Sequence, residues 1–122
     1  MIDLPDVWAP QMLWYCQLIA DQERLVAAFN QQPGAIWTSV TGYDELSEQI
    51  LEDLDGIEML GELKNSNLPN QLKVDLERFV REFYQFDSGL GDNDPDLGSP
   101  DWKEVEAVAR SAVASSEEWK IA

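Results

Sequence analysis

The 122-residue chain contains no histidine, one cysteine and only 8 basic residues against 24 acidic ones. Without histidine, the usual general base and the usual borderline-metal ligand are both missing, which excludes Ser-His-Asp and Cys-His catalysis, zinc sites and ferritin-like di-iron centres. Cys16 alone cannot close an internal disulfide, and its neighbours Trp14, Tyr15, Leu18 and Ile19 mark it as a buried structural thiol. The scarcity of lysine and arginine leaves a net charge of -16, which repels nucleic acid and anionic membranes and makes a basic partner the natural complement. Long apolar runs are also missing. The longest uncharged stretch, Leu25 to Tyr43, is broken by Pro33-Gly34, and Asp3 and Asp6 stand where an export signal would carry lysines. A cytoplasmic location is therefore expected. No Walker or dinucleotide loop occurs, since Gly89-Leu90-Gly91 runs into Asp92-Asn93-Asp94.

A hydrophobic share of 44% with 10% aromatics suffices for one ordinary core, so residues 1–122 are read as a single domain. The pattern is helical almost throughout. A first helix is expected from about Pro10 to Asn30, with Trp14, Tyr15, Leu18, Ile19, Leu25, Val26 and Phe29 on one side and Met12, Leu13 and Cys16 pointing elsewhere, so that its beginning is apolar nearly all round. Ile36-Trp37-Thr38-Ser39-Val40 has strand-prone residues without an evident partner and reads as an extended connector. Thr41 looks like the N-cap of a second helix, from about Tyr43 to Asp55, with Leu46, Ile50, Leu54 and Ile57 as its core stripe and Gly56 at its end. The third runs from about Pro69 to Phe86 on Leu72, Leu76, Phe79, Val80, Phe83 and Phe86, with Arg78, Arg81 and Glu82 opposite. The last opens at Ser99-Pro100-Asp101 and presents the small-residue face Val105, Val108, Ala109, Ala112 and Val113. These segments predict an all-α bundle of about four helices with an acidic loop before the last one.

Three aspartates at alternate positions, Asp92, Asp94 and Asp96, invite comparison with the calcium loop D-x-[DN]-x-[DN]-G-x5-E. With Asp92 first, position six is Leu97 where a glycine is needed and position twelve is Lys103 where a bidentate glutamate belongs. No metal or other cofactor is assigned. Paired carboxylates arise by accident among 24 acids and do not argue for glycosidase chemistry.

The acids are unevenly spread. Residues 41–62 contain eight acids and no base, and residues 87–101 contain five acids and no base, whereas residues 73–86 balance three of each. Adaptation to high salt would spread them evenly. At about 100° per residue, Asp44, Glu48, Glu52 and Asp55 fall within an arc of about 80° opposite the core stripe, with Leu51 projecting among them. Like charges four residues apart cost a helix roughly 0.2 to 0.5 kcal/mol per pair. An apolar residue ringed by carboxylates has the makeup of an interface anchor with a polar rim, the alternative being that Leu51 packs beneath residues 57–64. Asp44, Glu48, Leu51, Glu52, Asp55, Asp92, Asp94 and Asp96 form the expected partner-binding set.

The stretch Ser99-Pro100-Asp101-Trp102-Lys103-Glu104-Val105, followed by Ala109 and Ala112 and preceded by the aspartate-rich loop, resembles the C-terminal part of several small bacterial immunity proteins. The resemblance covers about a quarter of the chain. It implies a cytoplasmic, non-enzymatic inhibitor that binds a cognate toxin, in many such systems a nuclease with a basic active-site cleft. Two other readings stay open: a phage-type DNA mimic of the anti-CRISPR or anti-restriction kind, and a small helical calcium-binding or scaffolding module. A DNA mimic should carry carboxylates along a long flat line, whereas a toxin inhibitor needs a compact patch with apolar anchors.

Overall fold

The computed structural model describes residues 5–30, 42–91, 93 and 95–121, with side chains placed for all of these but 5–7, 30 and 118–121. The order is α1 (Pro5–Ala20), α2 (Gln22–Asn30), α3 (Tyr43–Glu48) continued by a π-helical turn (Gln49–Asp53), α4 (Met59–Lys64), α5 (Asn70–Leu90) and α6 (Pro100–Ile121). The fold is all-α, with no strand among the described residues. Among the described residues there are six α-helices where about four were expected, and the connector 36–40 and the Thr41 cap lie outside those residues.

The first expected helix is two. It begins at Pro5, five residues earlier than the proline signal suggested, and Pro10 sits inside it. The core pulls the helix outward past its proline: Trp8, Ala9, Met12 and Leu13 are all buried, and their burial offsets the backbone hydrogen bond that Pro10 cannot make. Trp14, expected on the inner stripe, is 36% exposed, whereas Met12, Leu13 and Cys16, expected to point elsewhere, are buried. At the other end Asp21 interrupts the run. Its Oδ1 accepts from the Arg24 amide at 3.3 Å while its carbonyl accepts from Leu25, so it caps a new helix, α2.

Helices α1, α5 and α6 form the frame, with α6 packed between the other two. On the expected face of α5, Leu72, Leu76, Phe79, Val80 and Phe83 are fully buried and Phe86 is half-buried against the core. Ser99 caps α6 by accepting from the Trp102 amide at 3.2 Å, and Val105, Ala109 and Ala112 are fully buried against the frame. Two acids enter this packing. Asp75 accepts from Gln71 and from Ser115 of α6, while Glu106 accepts from Lys103 and Arg110 one turn to either side. Each buried carboxylate is thereby hydrogen-bonded, the condition under which such groups are tolerated.

The second expected helix changes winding halfway. After Glu48 the bonding switches to i→i+5, with the Leu54 amide donating to the Gln49 carbonyl at 3.0 Å. The indole of Trp8 donates to the Leu54 carbonyl at 2.7 Å in the core, and Tyr15 donates to Gln49 Oε1 at 2.6 Å. Asp55 then takes φ 50°, and Gly56 lies so close to the preceding turn that a Cβ there would stand 2.8 Å from the Ile50 carbonyl oxygen. The segment thus doubles back tightly into α4.

Candidate protein-binding face

The site grows from an aromatic cluster at the C-terminal end of α5. Phe86 and Trp102 meet at 5.0 Å between ring centroids, and Tyr43 lies 6.0 Å from Phe83 and 6.1 Å from Phe86. Sequence periodicity placed Tyr43 at a helix start and Phe86 at a helix end; packing brings the two ends together.

Asp87 fastens this junction. Its Oδ1 accepts from the Tyr43 hydroxyl and from the Ser47 hydroxyl, each at 2.9 Å. The Tyr43 hydroxyl is held well above the usual phenol range, first by burial, then by its hydrogen bond to Asp87 and by the charges of Asp87 and Asp44. Tyr43 therefore stays a neutral donor at neutral pH, and one carboxylate ties the first acidic block to the start of the second.

Two open grooves flank the last turn of α5 and share Leu90. One, of about 360 Å3, takes its carboxylates from Asp44, Glu45 and Asp87 and is completed by Tyr43, Asn93 and Pro95. The other, of about 450 Å3, has carboxylates from Glu82, Asp96, Asp101 and Glu104 over an apolar floor of Phe86 and Leu90. Neither is lined by a basic residue. The carboxylates of these walls accept and carry no compensating cation, which suits them to cationic groups whose apolar stems lie on the ring and leucine floor.

No family model, curated protein or solved structure matches this chain.

The expected contact residues are divided by the fold. Asp44 and Asp96, distant in sequence, come to neighbouring grooves. Glu48 and Glu52 are exposed but line neither groove. Asp55 lies beyond the π-helical turn and is half-buried, so the arc drawn at a constant 100° per residue does not continue to it. Leu51, expected to stand out among the acids, is half-buried and packs against the core. Asp92 and Asp94 lie outside the described residues. Glu82 and Glu104 were not singled out, because each belongs to a helix whose other residues read as ordinary core and surface. They converge only because α5 and α6 pack together.

Among the described residues no group of three or more metal-ligating side chains could hold a metal ion, and no helix is long and apolar enough to cross a membrane. Cys16 is fully buried, and that burial pushes its thiol far above the range in which a thiolate forms.

Proposed function

We propose that this protein is a non-enzymatic inhibitor of the immunity type, which occludes the basic active-site cleft of a nuclease toxin with the acidic end of α5. One observation carries the reading: carboxylates from two sequence-distant acidic blocks line adjoining grooves that contain no base, over a floor made by Phe86, Leu90 and Tyr43. A catalytic cleft for nucleic acid is lined with cations spaced for phosphates, and a rigid acidic surface of this size can replace the substrate there. The compact arrangement around one helix end supports a toxin inhibitor over an imitator of a long phosphate row. The immunity-like segment at 99–112 contributes Ser99, Asp101 and Glu104 to the same face.

The first test is whether the gene adjoining this one encodes a toxin with a basic nuclease domain, and the second is binding of that domain measured by calorimetry across a salt series; a neighbour without such a domain would count against the reading. D44K/E45K and D96K/E104K should each weaken binding at least tenfold, and each should flatten its salt dependence. Unchanged affinity and salt slope in both variants would remove the acidic grooves from the interface.

A further inference from the structure

The outer face of α5 breaks the protein's charge pattern. Lys64, Lys73, Arg78 and Arg81 make up half of the chain's 8 basic residues. On α5 the exposed positions Val74, Arg78 and Arg81, with half-buried Lys73, fall within an arc of about 140° at 100° per residue. The only carboxylate on this arc, Glu77, is held by Arg81 at 2.9 Å. Among the described residues Lys64, Lys73 and Arg78 make no ion pair. Between α4 and α5 lies a shallow groove of about 280 Å3, floored by Leu63 and Val74 and rimmed by Lys64, Lys73, Asn70 and the Arg81-paired Glu77. Val74 is the most exposed large hydrophobic side chain of the described residues, at 51%. Lys73 donates to the Lys64 carbonyl at 3.3 Å, which draws the two ammonium-bearing chains to one rim.

We propose that this basic, apolar-floored groove docks a second copy of the chain, receiving the acidic groove formed by Asp44, Glu45 and Asp87. The two surfaces are complementary in charge, and each has an apolar floor, Leu63 and Val74 on one side and Leu90 on the other. Because different patches meet, the contact is heterologous and leaves one acidic groove free at the end of each assembly. It shares that groove with the proposed inhibitory function, so self-association and partner binding compete.

The net charge of -16 opposes this contact at long range, and salt separates the two effects. The Debye length falls from about 30 Å at 0.01 M to about 8 Å at 0.15 M and about 3 Å at 1 M. Whole-molecule repulsion is screened first, while close ion pairs survive until higher salt. Association therefore passes through a maximum near physiological ionic strength, whereas a purely apolar contact would strengthen monotonically.

Sedimentation equilibrium of the purified protein alone tests this without any partner, so failure here leaves the inhibitory reading standing and success does not depend on it. The weight-average mass should rise with concentration above the 13.8 kDa monomer at about 0.15 M salt and return to it at about 0.01 M and about 1 M. K64E/K73E and D44K/E45K should each remain monomeric, since Lys64, Asp44 and Glu45 are exposed and Lys73 is half-buried at the groove rim, and an equimolar mixture of the two should associate again. A monomer at every salt concentration, undiminished association of either variant, or a mixture that stays monomeric would overturn the proposal.

Discussion

Replacing Trp8 by phenylalanine tests the junction on which the π-helical turn depends. Trp8 has no exposed surface, and its indole donates at 2.7 Å to the carbonyl of Leu54, itself only 4% exposed. Phenylalanine keeps an aromatic ring but removes the donor, leaving a carbonyl without this partner where water does not reach, at a cost of about 1–3 kcal/mol. The smaller ring also gives up roughly 40 Å2 of buried apolar contact, about 1 kcal/mol at ~25 cal/mol per Å2. The total of about 2–4 kcal/mol is a large part of the 5–15 kcal/mol that holds a typical domain together. At roughly 3–5 °C per kcal/mol for a chain of this length, Tm should fall by roughly 6–20 °C. Urea titration followed by circular dichroism at the helical band gives the free energy directly. A loss below about 0.5 kcal/mol, the size of an ordinary surface change, would refute the claim that this bond closes the turn.

Gly56→Ala should be destabilising by about 1–3 kcal/mol in the same titration, because the added Cβ would stand 2.8 Å from the Ile50 oxygen and both atoms belong to backbone. A neutral result would mean that the Asp55–Gly56 segment relaxes freely. Tyr43 gives a pH signature. Its hydroxyl titrates higher in the folded protein than the ordinary value of 10.0, so its contribution is whole below about pH 10 and is lost as pH rises above that. Tyr43→Phe should reduce the alkaline part of the stability profile in thermal melts between neutral pH and pH 11; an unaltered alkaline limb would show that Tyr43 is not its source.

What could be read from sequence followed local periodicity. The buried face of α5 and the Ser99 start of α6 were legible because each depends on residues one to four positions apart. The α1–α2 break was not, since Asp21 acts as a cap only once Arg24 and Leu25 turn their amides toward it. Pro10 looked like a helix start because helix propensity knows nothing of the core that buries Trp8. The acidic arc failed after Glu48 for a geometric reason: widening to i→i+5 bonds changes the angle each residue advances, and no residue type announces it. That two acidic blocks exist was plain from counting. That Asp44 and Asp96 come to grooves sharing Leu90 follows from the Tyr43–Asp87 and Ser47–Asp87 bonds, which span 44 and 40 residues.

The packing of α1 against α6 joins segments whose nearest ends, Ala20 and Pro100, are 100 − 20 = 80 positions apart. At a translation rate of about 5–20 residues per second, the ribosome needs roughly 4–16 s to advance from one to the other. For those seconds Trp8, Met12, Leu13 and Ile19 of a nascent chain have no α6 to cover them. Helices α2 to α5 are synthesised before the core can close, and those of six to nine residues need that core to be stable, so cooperative folding awaits release of the last helix. A chain stalled before Pro100 would present its most apolar helix to chaperones and proteases.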